Sequence, residues 1–481
     1  MKLNKLSLAV VAACGVMSTS AFALPASSYT NTGEFAGDTM NIRVSGATAQ
    51  DPGFLAAALS YCSAGTMHRY SVSNNFVYFC TAGAAVTPRP GATKVAFYKY
   101  SVGGSGSGVG FVNSATPIPF LDLDKIDTSC AGTSATADID GTGPLSSFVD
   151  VTCAAATTAV TTNAVSYIGI SDVEPSFFGA PSSYNNLTAE GLASVIFGVP
   201  VTRNVYEALQ AQQGLTVGSL TEANMPSLSQ AQVTTMYTQL GQTWGNLGIN
   251  TGLADDTIYV ARRADSSGTQ KSFEAVIGKT INGTSGAKSC IGAVEPFVAG
   301  TDVLNNAAAD ALCAAVDAGD VVAQASGSSQ VLRCMEGHQS RARGAVGVLS
   351  TEYKQTAGGS IRFVKINGVA PTHAQVAAGS YQQYTDASLN TRTGGTLLTA
   401  AAPGYPAFLT LLKTSFATPS TVAIINAGNQ TFGPSGLMAL DALESPVPAA
   451  DYSGATGRNP WSRLVGGVEL NNCQSGKAAA F

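Results

Sequence analysis

The feature that most constrains the fold is a pattern of strand, small-residue turn and helix that occurs twice in the chain. Residues 40–44 alternate as a half-buried strand does and lead through a turn into a helix-like stretch near residues 52–60. Residues 257–261 are apolar and β-branched, and they run through a similar turn into a helix-like stretch at residues 270–277. Further strands are predicted at residues 94–100 and 164–170. Because strands that alternate with helices form helix-covered sheets, the sequence predicts an α/β fold.

The N-terminus has the three parts of a secretory signal peptide: Lys2 and Lys5, an apolar run over residues 6–17, and the small-x-small sequence Ala21-Phe22-Ala23. The run is too short to span a bilayer, so no membrane span is expected. We expect residues 1–23 to be removed and the mature protein to be periplasmic or secreted. Cys14, which follows small and apolar residues, leaves a lipoprotein as the alternative.

Size and charge narrow the classes of function. The chain has 481 residues, more than one hydrophobic core normally serves, so two lobes are expected. Only 11% of the residues are charged and the formal net charge is −5, which argues against nucleic acid or an anionic membrane as partner. Three dispersed histidines and the absence of a C-x-x-C spacing argue against a zinc or thiol redox centre, and no cofactor is predicted.

The chain holds nine cysteines, and loss of Cys14 with the signal peptide leaves eight. An even number in an exported protein favours disulfides. Many pairings are compatible with the sequence, and the order of the cysteines suggests Cys62–Cys80, Cys130–Cys153, Cys290–Cys313 and Cys334–Cys473. Residues 61–90 and 111–162 are rich in small residues and each contains one of these pairs, so they are interpreted as insertions pinned by disulfides.

Two glycine-containing turns could present backbone N–H groups to an anion. Gly46-Ala47-Thr48 lies between a predicted strand and a helix, where the helix dipole favours negative charge. Residues 103–108 alternate glycine with serine, which allows close approach of the backbone and adds hydroxyl donors. Each turn has an ordinary alternative: Thr48 could simply cap a helix, and the glycine-rich stretch could be a flexible loop.

Two further segments add charged side chains. In residues 262–269, paired arginines follow an apolar strand, and hydroxyls and a glycine precede a helix. An arginine supplies a two-pronged donor for an oxyanion, and the helix N-terminus supplies amides. Asp172 ends the segment Gly169-Ile170-Ser171-Asp172 and could accept a hydrogen bond from a protonated oxyanion such as hydrogen phosphate, which sulfate cannot provide. The alternative for Asp172 is a turn or capping residue.

Together these segments resemble the phosphate-binding proteins that serve ABC importers, members of the type 2 periplasmic binding fold. That family has a G-A-T segment after its first strand, then G-S-x-G, G-x-S-D and R-x-D-x-S-G-T. This chain matches them in the same order at residues 46–48, at residues 104–106 for the first three positions of G-S-x-G, and at residues 169–172 and 263–269. Ala49 departs from the family, which often has a serine or a bulky aromatic residue at that position.

The resemblance implies a ligand site and an architecture. The implied phosphate ligands are Thr48, Ala49 through its backbone N–H, Ser105, Asp172, Arg263, Ser267, Gly268 and Thr269, while Asp265 would hold Arg263 in place. The implied fold has two lobes with the ligand cleft between them, and the disulfide-bearing insertions are additions to it. The first lobe would comprise residues 24–190 and 401–481, and the second residues 191–400.

The sequence therefore predicts an exported, monomeric receptor that binds inorganic phosphate for uptake through an ABC permease. An enzyme is disfavoured because no histidine–carboxylate cluster and no Gly-x-Ser-x-Gly nucleophile motif occurs. Two alternatives remain open. The chain could keep the binding fold as a secreted or surface-attached protein for adhesion or assembly, since fold does not fix function, or it could bind a different oxyanion.

Overall fold

Strands and helices alternate along the described chain, which confirms the predicted α/β class. The structure is a computed structural model and describes residues 24–30, 36–84, 88–130, 133–138, 147–153, 157–179, 181–277, 297–315, 321–393, 404–426, 430–440, 457–465, 469–470, 472 and 477–478. The predicted signal peptide, including Cys14, lies outside these residues. No helix among them is long and apolar enough to cross a membrane.

The secondary structure agrees closely with the predicted elements where local pattern was strong. The strands are β1 (Thr39–Gly46), β2 (His68–Val72), β3 (Asn75–Thr81), β4 (Lys94–Tyr100), β5 (Pro117–Leu121), β6 (Thr133–Asp138), β7 (Ser147–Thr152), β8 (Thr161–Val165), β9 (Ile168–Ser171), β10 (Leu187–Thr202), β11 (Ser227–Leu228), β12 (Tyr259–Arg263), β13 (Thr301–Val303), β14 (Val322–Ala325), β15 (Ala345–Gly347), β16 (Leu349–Ser350), β17 (Ile361–Ile366), β18 (Tyr384–Arg392), β19 (Leu437–Leu440), β20 (Arg458–Asn459), β21 (Trp461–Ser462), β22 (Leu464–Val465), β23 (Glu469–Leu470) and β24 (Lys477–Ala478). The helices are α1 (Asp51–Tyr61), α2 (Ser105–Ser114), α3 (Leu123–Ser129), α4 (Arg203–Gln212), α5 (Gln230–Thr238), α6 (Gly268–Val276), α7 (Asn306–Cys313), α8 (Ser328–Ser340), α9 (His373–Ala377), α10 (Gly404–Ala417) and α11 (Pro419–Ile425). The one predicted strand at residues 164–170 is in fact divided between β8 and β9.

A long strand, β10, joins two sheets. Its first part pairs with β18 and β19, and the first sheet runs in the order β6-β7-β2-β3-β4-β1-β9-β18-β10-β19-β20. Its second part pairs with β15 and β17 in a second sheet of order β13-β14-β12-β15-β10-β17-β11. Helices pack on both sheets, α2 against β1 and β9 and α8 against β12 and β15. The molecule therefore has the two-lobed α/β organisation that the resemblance implies.

Residues 384–392, which fall inside the range proposed for the second lobe, form β18 and pair with β9 and β10 in the first sheet. The chain thus passes back to the first sheet before residue 400. The exact lobe boundaries stay a prediction.

The two stretches interpreted as insertions extend the first sheet. Residues 61–90 supply the hairpin β2–β3, and β3 pairs with β4 along seven positions from Asn75 to Thr81. Residues 111–162 supply β6 and β7, which continue the sheet beyond β2. Their apolar side chains form a second core with the inner strands, in which Val77, Phe79 and Phe120 are buried. These stretches are therefore part of the hydrophobic core as well as being carriers of disulfides.

The disulfides confirm two of the predicted pairs and correct the other two. Cys62–Cys80 and Cys130–Cys153 are present, with Cα atoms 5.8 and 5.1 Å apart. Cys313 pairs with Cys334 at a Cα separation of 5.0 Å, so the predicted pairs Cys290–Cys313 and Cys334–Cys473 are wrong. The reason is that α7 and α8 pack together and bring the buried Cys313 and Cys334 side by side. Cys290 and Cys473 lie outside the described residues.

Candidate anion-binding site

Three glycines bring α2 into backbone contact with the strands of the first sheet. Gly46 has φ +122°, and a Cβ atom there would lie 1.8 Å from the Ile170 carbonyl oxygen. A Cβ atom on Gly108 would lie 2.4 Å from the same oxygen, and one on Gly169 would lie 1.7 Å from the Gly108 carbonyl. No larger residue fits at these positions without a shift of the backbone. The glycines therefore set the N-terminus of α2 beside the ends of β1 and β9.

A buried lysine fixes the turn after β1. Lys99 Nζ donates to the Gly46 and Ala47 carbonyl oxygens at 3.0 and 3.2 Å and forms an ion pair with Asp51 at 3.0 Å. Its side chain is fully buried, and burial lowers the pKa of Lys99 while Asp51 opposes that shift. Sequence analysis missed this residue. Val95 and Phe97 lie on the same face of β4 as Lys99, but both faces of the strand are buried, so no alternation of apolar and polar residues marks Lys99 in the sequence.

Asp172 follows β9 and is almost fully buried, with 2% of its surface exposed. Its Oδ1 accepts a hydrogen bond from Gln50 Nε2 and its Oδ2 one from Thr269 Oγ1, both at 3.1 Å. Its backbone N–H donates to Ser105 Oγ at 3.0 Å. Burial raises the pKa of Asp172, whereas Gln50, Arg263, Thr269 and Ser105 oppose that shift. Because a carboxylate offers about four acceptor positions, Asp172 keeps acceptor capacity for a ligand.

Arg263, the last residue of β12, is buried between the two lobes. Its Nη1 donates to Ser328 Oγ at 2.8 Å and to Thr48 Oγ1 at 3.4 Å, and its Nη2 donates to the Ser326 carbonyl at 3.1 Å. The Nε atom is buried without a hydrogen-bond partner among the described residues. Burial lowers the pKa of Arg263, but a guanidinium keeps its charge in proteins, so a buried positive charge whose Nε–H is unused lies in this region.

The predicted role of Asp265 is wrong. Asp265 Oδ1 accepts from Arg262 Nη1 at 2.8 Å, and 66% of the Asp265 side chain is exposed. Consecutive residues of a strand point to opposite faces, so Arg262 and Arg263 separate at the end of β12. Arg262 donates to Asp265, whereas Arg263 donates to Ser328 and Thr48.

The N-terminus of α6 meets that of α2. Ser267 caps α6, its Oγ accepting from Gln270 N at 3.4 Å, and Gly268 begins the helix. A Cβ atom on Gly268 would lie 2.3 Å from Ser105 Oγ and 2.9 Å from Asp172 Cβ. The Gly106 N–H donates to the Ser266 carbonyl at 2.8 Å, so a backbone hydrogen bond joins the two lobes here. Two positive helix ends therefore converge on Asp172 and Arg263.

The structure thus brings the predicted site residues together, apart from Asp265. We call the following set the central cluster: Thr48, Gln50, Ser105, Asp172, Arg263, Ser267, Gly268, Thr269 and Ser328. Ala49 is buried next to it in the turn Thr48–Gln50, and its predicted N–H contact to a ligand stays a prediction. Gln50 and Ser328 were missed. Ser328 begins α8 within the small-residue sequence 326–329, which follows β14 and is the same kind of strand–turn–helix junction that identified Thr48.

The chemistry of the central cluster suits an anion. It consists of hydroxyl and amide donors, one guanidinium, one carboxylate and two helix N-termini, all removed from bulk water. Among the described residues, no three His, Cys, Asp or Glu side chains are grouped so that they could hold a metal ion. The arrangement can therefore surround a small oxyanion with fixed donors and offer it one acceptor.

No protein-family model matches this sequence, and no curated protein matches it. Among solved structures, an ABC-type phosphate transport receptor from Vibrio cholerae is similar, with 16% sequence identity, a TM-score of 0.40 and coverage of 81% of this chain and 98% of that chain. PstS from Borrelia burgdorferi is similar with 11% identity, a TM-score of 0.33 and coverage of 81% of this chain and 97% of that chain. Similarity at this level identifies no ligand, so that assignment depends on the residues of the central cluster.

Proposed function

We propose that this chain is an exported receptor that binds inorganic phosphate between its two lobes and supplies it to an ABC permease. The proposal depends mainly on one observation: Arg263 and Asp172 lie in one buried cluster of neutral donors, and the residues of this cluster come from both lobes. A ligand held by Thr48 and Ser105 on one lobe and by Arg263 and Thr269 on the other stabilises the closed form.

The donors account for affinity toward an oxyanion. Arg263 offers the unused Nε–H, and the N-termini of α2 and α6 direct backbone N–H groups toward the same place. These donors are fixed by the glycine contacts around Gly108 and Gly268, so little ordering is needed when the ligand binds. Because the site is buried, added salt should weaken binding only modestly.

Asp172 accounts for the choice of phosphate. Hydrogen phosphate carries one P–OH that can donate to the free positions of the Asp172 carboxylate. Sulfate has no proton at neutral pH and would place its charge against that carboxylate. Leaving a buried charged acceptor opposed in this way costs on the order of 1–3 kcal/mol or more. The carboxylate should therefore lower the affinity of the site for fully deprotonated oxyanions.

Calorimetric titration of the mature, phosphate-stripped protein with phosphate and then sulfate tests the proposal. We expect tight phosphate binding, weak sulfate binding and a loss of roughly a hundredfold in phosphate affinity for Arg263→Ala. Asp172→Asn should reduce the preference for phosphate over sulfate by roughly tenfold or more. Arg341→Ala, which removes an exposed arginine outside the cluster, is the control and should bind as the wild type does. No heat and no thermal stabilisation with either anion would overturn the proposal.

The transport role needs a cellular measurement. Deletion of the protein should abolish high-affinity uptake of labelled phosphate, and the Arg263→Ala protein should fail to restore it. Unchanged uptake in the deletion strain, with the protein found outside the cell, would instead support the adhesion or assembly role.

A further inference from the structure

A buried polar network attaches the C-terminal part of the chain to the first sheet. Ser194 Oγ of β10 donates to Asp386 Oδ1 of β18 at 2.6 Å, and Asn459 Nδ2 donates to the same Ser194 oxygen at 2.8 Å. Arg463 N donates to Asp386 Oδ2 at 2.9 Å. Polar groups buried this deeply need hydrogen bonds, so each contact restrains its partners. The members of the network are at most 5% exposed, and none belongs to the central cluster: Glu174, Ser194, Asp386, Asn459, Arg463 and Asn472.

Asn472 uses all of its polar groups in this network. Its backbone N–H donates to Glu174 Oε1 at 2.9 Å, and its Nδ2 donates to Glu174 Oε2 at 2.6 Å. Nδ2 also donates to the Asp386 carbonyl at 3.0 Å, and Oδ1 accepts from the Asp386 N–H at 2.7 Å. The Asn472 carbonyl accepts from Arg463 Nη1 at 2.9 Å. One asparagine therefore ties a buried carboxylate, 298 positions earlier in the chain, to the backbone of β18.

Glu174 lies two residues after Asp172, in the segment that carries the acceptor of the central cluster. The start of this segment is held by β18, because Thr385 Oγ1 donates to the Asp172 carbonyl at 2.7 Å. Its end is held by Asn472, from which both side-chain oxygens of Glu174 accept hydrogen bonds. Two residues span at most about 7 Å of chain, so a displacement of Glu174 is passed on to Asp172.

The hydrogen bonds from Asn472 keep the Glu174 carboxylate in its buried position. Burial raises the pKa of Glu174 to about 7, and the hydrogen bonds from Asn472 and the charge of Arg463 oppose that shift. A buried carboxylate that loses its donors must take up a proton or move toward water. Either response changes the contacts at the end of residues 172–174, so Asn472 restrains the backbone that presents Asp172.

The preference for phosphate depends on where the Asp172 carboxylate lies. A hydrogen bond weakens steeply when its atoms leave the preferred distance and angle, so a displaced carboxylate loses much of its bond to the P–OH of hydrogen phosphate. The repulsion of sulfate falls as well, because it depends on the same separation. Arg263 and the N-termini of α2 and α6 would still attract either anion. A shift of Asp172 should therefore reduce discrimination between the anions more than binding itself.

We propose that Asn472 is a positioning residue of the phosphate site: it holds Glu174 and, through residues 172–174, sets the Asp172 carboxylate where phosphate is preferred over sulfate. This inference rests on the proposed function. It adds the C-terminal part of the chain to the determinants of specificity, although Asn472 contacts no residue of the central cluster.

Calorimetric titration of Asn472→Ala with phosphate and with sulfate tests the inference. The titrations are made at pH 8, above the pKa of Glu174, so that its carboxyl is largely ionised in the wild type. We expect the ratio of phosphate affinity to sulfate affinity to fall roughly tenfold, toward that of Asp172→Asn. The reason is that phosphate loses a well-placed acceptor while sulfate meets weaker repulsion.

Asn426→Ala is the matched control for a purely structural effect. Asn426 is also buried, and its Nδ2 and Oδ1 pair with the carbonyl and N–H of Leu437 at 2.7 and 3.0 Å, as those of Asn472 pair with Asp386. Urea denaturation should show that both alanine variants lose stability. Only Asn472→Ala should lose the preference for phosphate.

A second pair of variants tests the contact itself and does not depend on the folding of Asn472→Ala. Glu174→Gln sets an amide N–H against a donor of Asn472, so the preference for phosphate should fall. Adding Asn472→Asp supplies an acceptor opposite that N–H and leaves the backbone hydrogen bond from position 472 in place. The preference should then recover at least in part in the double variant, whose net charge equals that of the wild type.

The outcomes separate this inference from the proposed function. An unchanged affinity ratio in Asn472→Ala, an equal fall in Asn426→Ala, or no recovery in the double variant overturns the positioning role and leaves the phosphate receptor intact. A wild type that binds phosphate and sulfate equally overturns the role of Asp172 and this inference with it. Failure of the wild type to bind phosphate at all overturns the proposed function.

Discussion

The central cluster and the cavity that shares Thr48 with it differ in how tightly their residues are packed. In the cluster, glycines allow close backbone contacts, and the neutral side chains of Gln50 and Thr269 donate hydrogen bonds to the buried Asp172 carboxylate. The cavity has a volume of about 860 Å³, and its wall includes the charged side chains of Asp51, Arg69 and Glu352 and the rings of Phe76 and Tyr78. The difference predicts that affinity for an oxyanion depends on the cluster and not on the cavity wall.

The two regions also originate differently in the sequence. The cluster is assembled from turns at the ends of strands β1, β9 and β12, where local motifs are informative. Much of the cavity wall comes from the hairpin β2–β3, which lies in a stretch without a recognisable motif. Changes in the cluster should therefore be severe, and changes in the cavity should be mild for both stability and phosphate binding.

The largest effect is expected for Lys99→Met. This change leaves the Asp51 carboxylate without its buried cation and releases the carbonyls of Gly46 and Ala47. Breaking a buried ion pair costs about 3–5 kcal/mol of the free energy of unfolding, measured by urea denaturation. Lys94→Met on the same strand removes a partly exposed partner of Asp38 and should cost less than about 1 kcal/mol. Equal losses in the two variants would contradict the structural role of Lys99.

Gly268→Ala should have the next largest effect, on ligand binding. The added Cβ would lie 2.3 Å from Ser105 Oγ and 2.8 Å from Ser105 Cβ, so the N-termini of α2 and α6 must separate. We expect phosphate affinity to fall roughly 30- to 100-fold in calorimetry, equivalent to about 2–3 kcal/mol. Gly110→Ala on α2 is the matched control, because its Cβ would meet no atom within 4 Å. It should bind phosphate normally, and unchanged affinity for Gly268→Ala would refute the close contact.

Sequence reasoning located the residues that lie in short local motifs and missed those whose partners are distant in the chain. Thr48, Asp172 and Arg263 could be found because each lies in a short motif whose local chemistry is characteristic. Ser328 contacts Arg263 across 65 positions, and Gln50 contacts Asp172 across 122, so no local pattern defines either pair. Two of the four predicted cysteine pairs are wrong for the same reason, because the order of the cysteines does not contain the packing of α7 on α8 that joins Cys313 to Cys334.

A smaller effect is expected from the carboxyl group of the cavity. Burial raises the pKa of Glu352 from 4.5 to about 8, so between these values the folded state holds a proton that the unfolded state has lost. The free energy of unfolding should therefore fall as pH rises from about 5 to about 8, by roughly 1–3 kcal/mol from this group. Burial also raises the pKa of Glu174, to about 7, which contributes in the same direction.

Urea denaturation across this pH range tests the assignment. Glu352→Gln stays neutral and should flatten the pH dependence in part, leaving the contribution of Glu174. Glu336→Gln, which replaces an exposed carboxyl on α8, should keep the wild-type slope. If the slopes of all three proteins coincide, Glu352 is ionised in the folded protein and the proposed neutral carboxyl in the cavity is wrong.

The smallest effect is expected at the tip of the hairpin that lines the cavity. Ser73 has φ +53°, in the left-handed region that costs a non-glycine residue about 1–2 kcal/mol. Glycine removes that strain but loses more backbone entropy on folding, so Ser73→Gly should raise the free energy of unfolding by only about 0.5 kcal/mol. Ala342→Gly relieves the same strain at φ +53° far from the cavity and should give a similar gain. Because the hairpin tip is no part of the central cluster, phosphate affinity should stay within about twofold of wild type in both variants. A marked loss of phosphate affinity in Ser73→Gly alone would show that the cavity wall also positions the donors of the cluster, and the division between the two regions would then have to be abandoned.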